Sequence, residues 1–326
     1  VVTQEPGVAD VGRYRWVVRS NTGSGFGDPV DWTLPDLGPA WAVETVDRLN
    51  GDVNWALLDL DGDQQLDLIV TQEPGVADVG RYRWVVYRNT GTGFGDPVDW
   101  TLPDLGPAWA VETVDRSNSD VNWALLDLDG EGGVELVVTQ EPGVADVGRY
   151  RWVVYANTGT GFGDATDWTL PDLGPAWATV PYDIFSSDVN WALLDLDGKD
   201  GVELVVTQEP GVADVGRYRW VVHTNTGTGF GDATDWTLPD LGPEWAVEPS
   251  DRFSSDVNWG LLDLDGQPGV ELVVTQDPTA ADVGTARWVT YRNIGTGFGE
   301  TADWLLPNLG PMWATELVDR FSSDVN

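Results

Sequence analysis

Residues 55–103 read WALLDLDGDQQLDLIVTQEPGVADVGRYRWVVYRNTGTGFGDPVDWTLP. Four apolar runs stand in this stretch, parted by turn chemistry. WALLDL (55–60) is short and ends at DGDQQ, and LDLIVTQ (66–72) runs into EPGVADVG (73–80), which holds Pro and two Gly. RYRWVVYR (81–88) alternates in polarity, NTGTGFG (89–95) carries the Asn/Gly signature of a hairpin, and PVDWTLP (97–103) closes at proline. The segment 104–122 then leads to another copy of the same text. No run holds a helical period. The stretch predicts four strands, a to d.

The unit recurs. Thr3, Thr71, Thr139, Thr207 and Thr275 mark a constant 68-residue step, and a fixed period of this size signals a solenoid, propeller or array. Four short strands per unit, five units and many Gly and Trp predict an all-β, five-bladed β-propeller with one blade incomplete. The whole of 1–326 is expected to form one propeller, from a partial copy at 1–54 and copies at 55–122, 123–190, 191–258 and 259–326. The partial copy has strands b, c and d but no WALLDL of its own. SSDVN (322–326) repeats the lead-in before Trp191 and Trp259, so a native chain that continues with a further strand a is expected.

Formal net charge is −37, from 54 acids against 17 bases, and Lys199 is the single lysine. So acidic a surface repels nucleic acid and anionic membranes. There is no Cys, hence no disulfide and no thiolate metal site. No apolar run reaches the length of a membrane span.

LLDLDGDQQLDLIVT followed by WVVYRNTGTGFG resembles an FG-GAP/VCBS repeat, once per copy along the whole chain. That superfamily is similar to the integrin α-subunit propellers and, more distantly, to tachylectin-type lectins. The resemblance implies propeller blades, a calcium ion in the a–b turn, and extracellular adhesion or sugar binding. It does not fix a function.

Calcium takes six to eight hard oxygens, which a loop offers from alternate positions. Asp59, Asp61, Asp63 and Asp67 fill positions 1, 3, 5 and 9 of the first turn, with Gln65 at 7. Asp127, Asp129, Glu131 and Glu135 do the same in the second, with longer acids at 5 and 9. At 195–203 position 5 is Lys199, and at 263–271 it is Gln267, followed by Pro268. The sequence therefore ranks 59–67 first for calcium and the Lys199 turn last, with Lys199 a candidate internal counter-ion for Asp195, Asp197 and Glu203. The competing reading is of Asp-Gly turns whose acids cap backbone N–H groups.

Strands alternate direction within a blade, so the b–c loop and the d–a link emerge together. Arg13, Tyr14, Arg81, Tyr82, Arg149, Tyr150, Arg217 and Tyr218 lie in or beside the b–c segment. Trp41, Trp109, Trp177, Trp245 and Trp313, with Arg48, Arg116, Arg252 and Arg320, lie in the link. Aromatic faces stack on sugar rings and guanidinium groups bind oxyanions, so these residues form a candidate carbohydrate-binding surface. Against this, the link Trp can plug the gap between blades, and the Arg residues can pair with local acids such as Asp78. The copy at 275–288 has Thr285 and Ala286 where the others have Arg and Tyr.

The remaining Trp residues, of the Trp84, Trp100 and Trp123 types, are expected in the core. The single His, His223, takes a variable strand-end position and is expected to face solvent. One His and no asymmetric acid pair argue against an enzyme. The reading that results is a multivalent, lectin-like propeller, secreted or on the cell surface. Its expected partners are glycans or glycoconjugates, with no nucleic acid and no membrane insertion. A protein-interaction or structural propeller without a sugar site is the main alternative, and a hydrolase or lyase a lesser one.

Overall fold

The structure, a computed structural model, describes residues 1–22, 25–38, 41–42, 53–73, 75–106, 109–111, 121–174, 177–179, 189–199, 201–242, 245–247, 257–307 and 314. Among these residues there is no helix. The chain is all-β, with repeated four-stranded blades in a propeller arrangement.

The partial copy supplies β1 (Arg15–Val18) and β2 (Val30–Thr33), paired antiparallel, with Val2 bridged to Val17 beside them. The first full blade is β3 (Asn54–Leu58), β4 (Asp67–Gln72), β5 (Arg83–Asn89) and β6 (Phe94–Thr101). The second is β7 (Asn122–Leu126), β8 (Glu135–Gln140), β9 (Arg151–Asn157) and β10 (Phe162–Thr169). The third is β11 (Asn190–Leu194), β12 (Glu203–Gln208), β13 (Arg219–Asn225) and β14 (Phe230–Thr237). The fourth is β15 (Asn258–Leu262), β16 (Glu271–Gln276), β17 (Arg287–Asn293) and β18 (Phe298–Leu305). Strands pair in sequence order within every blade.

Two compact units can be distinguished. One holds Val1–Asp127, Glu131–Val147 and Trp152–Asp167, and the other Leu128–Gly130, Gly148–Arg151 and Trp168–Asn326. Both are built by the same junction rule.

In the first unit, β5 and β6 set Trp84 opposite Trp100, and both rings are buried. Phe162, from the turn of the following copy, stands edge-on to each, at 6.0 Å and 5.7 Å between ring centroids. Trp84 donates its indole N–H to Ala110 O at 2.7 Å. Thr101 N donates to Thr160 O at 3.2 Å, which ties β6 to the next copy's turn. Gly161 is required there: a Cβ would lie 2.8 Å from the backbone N and O of Thr101. The second unit repeats the arrangement with Trp220, Trp236 and Phe298. Core clusters form around these aromatics, where large flat side chains bury the most apolar surface.

His223 departs from expectation. It lies on β13 at the position of Tyr87 and Tyr155, and it is buried rather than solvent-facing. Its Nδ1 is 2.9 Å from Gly231 O, and its Nε2 is enclosed without a partner.

Candidate functional site

Each a–b turn gathers acids at the ends of strands a and b. Three groups share one plan: Asp127, Asp129 and Glu135; Asp195, Asp197 and Glu203; and Asp263, Asp265 and Glu271. Within each group a carboxylate oxygen of every member lies within 4.8 Å of the others, close enough to share a cation. The Glu is the buried member each time. Glu131, placed by its spacing in the second set, stands outside that group.

The turns also use their acids internally. Asp263 accepts from Gly266 N at 2.7 Å, Asp265 from Gln267 N at 2.8 Å, and Glu271 from Leu264 N at 2.9 Å. The Asp195, Asp197 and Glu203 turn is held in the same way by Gly198, Lys199 and Leu196 N–H groups. Burial pushes the Glu203 carboxyl above its usual range; the Leu196 N–H opposes this, and the charges of Asp197 and Asp195 add to it. Three converging acids, one of them buried, suit a hard divalent cation that takes oxygen donors. Backbone carbonyls and water would supply the remaining positions.

Lys199 pairs with one acid of its turn: its Nζ reaches Asp197 at 2.8 Å while most of the side chain stays in solvent, and the charge of the buried Glu203 acts on it as well.

The 59–67 turn differs, and the difference lies outside the turn. Asp59, Asp61 and Asp63 come together, but the guanidinium of Arg88, from the end of β5, lies against Asp61 and reaches Asp67 at 3.2 Å. Asp67 is buried and accepts from Asn89 N at 2.9 Å. Gln65 folds back on Asp63 through both its backbone and side-chain N–H groups. The turn ranked first for calcium thus carries a cation of its own chain. The equivalent positions are Ala156, Thr224 and Arg292.

The second candidate site is built at the opposite ends of the strands. Trp109 closes it: its indole N–H lies 3.1 Å from both Arg81 O and Pro103 O, and its ring meets Trp123 edge-on at 5.4 Å. Ala110 N donates to Gly80 O at 3.0 Å. The link and the b–c loop are therefore stitched together, and Arg81, Tyr82 and Trp109 form one group. The Arg81 guanidinium sits 4.5 Å from the Tyr82 ring centroid and pairs with Asp104 at 3.4 Å. Arg13–Tyr14 with Asp36, Arg149–Tyr150 with Asp172, and Arg217–Tyr218 with Asp240 repeat this. Trp41, Trp177 and Trp245 make the same pair of backbone contacts as Trp109. All four Tyr rings are exposed.

Trp313, Arg48, Arg116, Arg252 and Arg320 lie outside the described residues. Arg83 pairs with Asp78 at 2.9 Å and Asp99 at 2.5 Å, so the guanidinium bridges loop and strand. That contact holds the Asp78 carboxyl below its usual range.

Sequence reasoning missed Asp104 and its equivalents. A signal was present: the copy with Thr285 and Ala286 also has Asn308 at the Asp position, so all three members change together.

No protein-family model matches the chain. No curated protein matches it. Among solved structures it is similar to a Photorhabdus luminescens Tc holotoxin pore, with TM-score 0.53 and 19% identity, over 93% of this chain and 11% of that one. The chain thus spans about a tenth of that protein, and the likeness is one of fold alone. It also matches an Agrocybe aegerita lectin, whose structure is described as recognising non-reducing terminal N-acetylglucosamine, with TM-score 0.44 and 17% identity, over 91% of this chain and 77% of that one.

Proposed function

We propose that this protein is a multivalent carbohydrate-binding propeller of the FG-GAP/VCBS type, non-catalytic, and secreted or displayed at the cell surface. The observation that carries the reading is the fourfold recurrence of an exposed Tyr ring beside a fixed guanidinium and carboxylate. An aromatic face stacks on a sugar ring, and the Arg and Asp edges meet its hydroxyls. Equivalent weak sites on one chain gain avidity on a clustered glycan surface without any new contact. Calcium, taken by the acidic turns with a buried Glu, would stiffen the far ends of the blades rather than touch the sugar.

One observation favours a second reading, an interaction or structural propeller with no sugar site. The Trp indole N–H groups are spent on backbone carbonyls, and each Arg already has an Asp partner. A glycan array, run with and without a calcium chelator, separates the two. Binding that is lost in Tyr82→Ala combined with its equivalents supports the sugar site. A blank array with a folded protein supports the second reading.

A further inference from the structure

Tyr82 stands in the chain between two guanidiniums, and both are already matched by carboxylates. Arg81 pairs with Asp104 at 3.4 Å, and Arg83 pairs with Asp78 at 2.9 Å and with Asp99 at 2.5 Å. Two cations thus meet three anions. The Tyr14 and Tyr218 groups repeat this count. The chain around them carries a formal net charge of −37.

Asp104 sets the sign of the charge offered beside the ring. Its side chain is 54% exposed, and both Arg81 hydrogen bonds go to its Oδ1. An anionic sugar that took Arg81 would have to displace Asp104. The displaced carboxylate is tethered to the same chain and would remain beside the newcomer as a like charge. A protonated amine meets the reverse: carboxylates in excess, and a Tyr ring whose face attracts cations. The Arg also keeps its Asp ionised, as where Arg13 holds the Asp36 carboxyl below its usual range. The copy with Thr285, Ala286 and Asn308 loses guanidinium, ring and carboxylate together. It keeps the bridge from Arg287 to Asp282 and Asp303. Ring, Arg and Asp therefore vary as one group, apart from the bridge that holds loop to strand.

Resting on the carbohydrate reading above, we propose that the sugar these groups take carries a protonated amine, and that Asp104, with Asp36, Asp172 and Asp240, determines this specificity. Sulfated and carboxylated glycans are rejected.

Calorimetry at low ionic strength and mildly acidic pH tests this with a glucosamine tetramer, an N-acetylglucosamine tetramer and a heparin tetrasaccharide. The first two differ only in the acetyl groups, which remove the charge. The glucosamine tetramer should bind at least about tenfold more tightly than the acetylated one, the contribution of one hydrogen bond to a charged group. The heparin fragment should not bind. The combined Asp36→Asn, Asp104→Asn, Asp172→Asn and Asp240→Asn variant should bring the ratio of the first two close to one. All four positions are exposed, so it should fold, as circular dichroism would verify. A control combines Asp28→Asn, Asp96→Asn, Asp164→Asn and Asp232→Asn, exposed toward the start of strand d. It removes the same charge and should leave the ratio unchanged. An equal loss in both variants overturns the proposal, because the attraction would then belong to the acidic surface at large. Equal or tighter binding of an oligolysine of matched charge overturns it too, since a sugar would not be what is read. Preference for the acetylated or the heparin probe overturns the amine specificity and leaves the carbohydrate reading standing. A folded protein that binds none of the three overturns both.

Discussion

Replacing Gly161 by Ala tests the blade junction against a control two residues away. Gly159 has φ +78° and open space around it, whereas Gly161 has φ +156° and would drive a Cβ to 2.8 Å from Thr101 N, O and Cβ. Gly159→Ala therefore pays only for a left-handed backbone, about 1–2 kcal/mol. Gly161→Ala adds a collision with backbone, which cannot swing aside as a side-chain end can. The turn must retreat, and two losses follow. The Thr101–Thr160 hydrogen bond opens, at about 0.5–1.5 kcal/mol net. Phe162 withdraws from Trp84 and Trp100, and full exposure of a Phe side chain costs about 1.5–3 kcal/mol. With the backbone strain the total comes to roughly 3–6.5 kcal/mol. Urea unfolding followed by Trp fluorescence reads both variants, because the rings that move are the reporters. If the two differ by less than about 0.5 kcal/mol, the junction is looser than described and the reasoning fails.

Arg88→Ala should free the 59–67 turn and add one calcium ion to the stoichiometry found by calorimetry; an unchanged count would show that Arg88 does not occupy the turn. Trp109→Ala should lower stability by about 3–5 kcal/mol as a large ring locked by two carbonyls is lost, whereas Tyr82→Ala should change it by less than about 0.5 kcal/mol; equal effects would contradict the division between a plug and an exposed ring. Because burial raises the Glu203 carboxyl in the folded state, metal-free stability should fall as pH rises from the ordinary Glu range through the raised value. Calcium, which binds the ionised form, should remove that slope, and Glu203→Gln should reduce it; melting curves against pH, with and without calcium, check both. In the opposite sense, the Asp10, Asp78, Asp214 and Asp282 carboxyls are held low by their Arg partners. Their contribution should persist above the ordinary Asp range and be lost as pH falls through the depressed values, seen as a steeper acid transition than in Arg83→Gln.

By itself the sequence determined what is periodic. The 68-residue step, the four strands, the acidic turns and the hairpin at NTGTGFG all follow from local chemistry, and local chemistry repeats with the text. The buried Trp84 and Trp123 positions were legible for the same reason. Tertiary structure decided what depends on pairs distant in the chain. Arg88 and Asp61 are 27 residues apart, and Arg81 and Asp104 are 23 apart. Neither pair can be read from a turn alone, because the strands between them must first fold back. The 59–67 turn looked the most complete as a run of acids, yet its electrostatics are set by a guanidinium delivered from the far end of β5. His223 gave a quieter signal, since its Tyr equivalents already marked a covered position, but burial there is conferred by the packed sheet and not by the residue's own polarity. Phe26 and Phe298 sit in nearly the same words and differ almost completely in exposure. Local text fixes the strand and turn, while the residues packed against it fix what is buried.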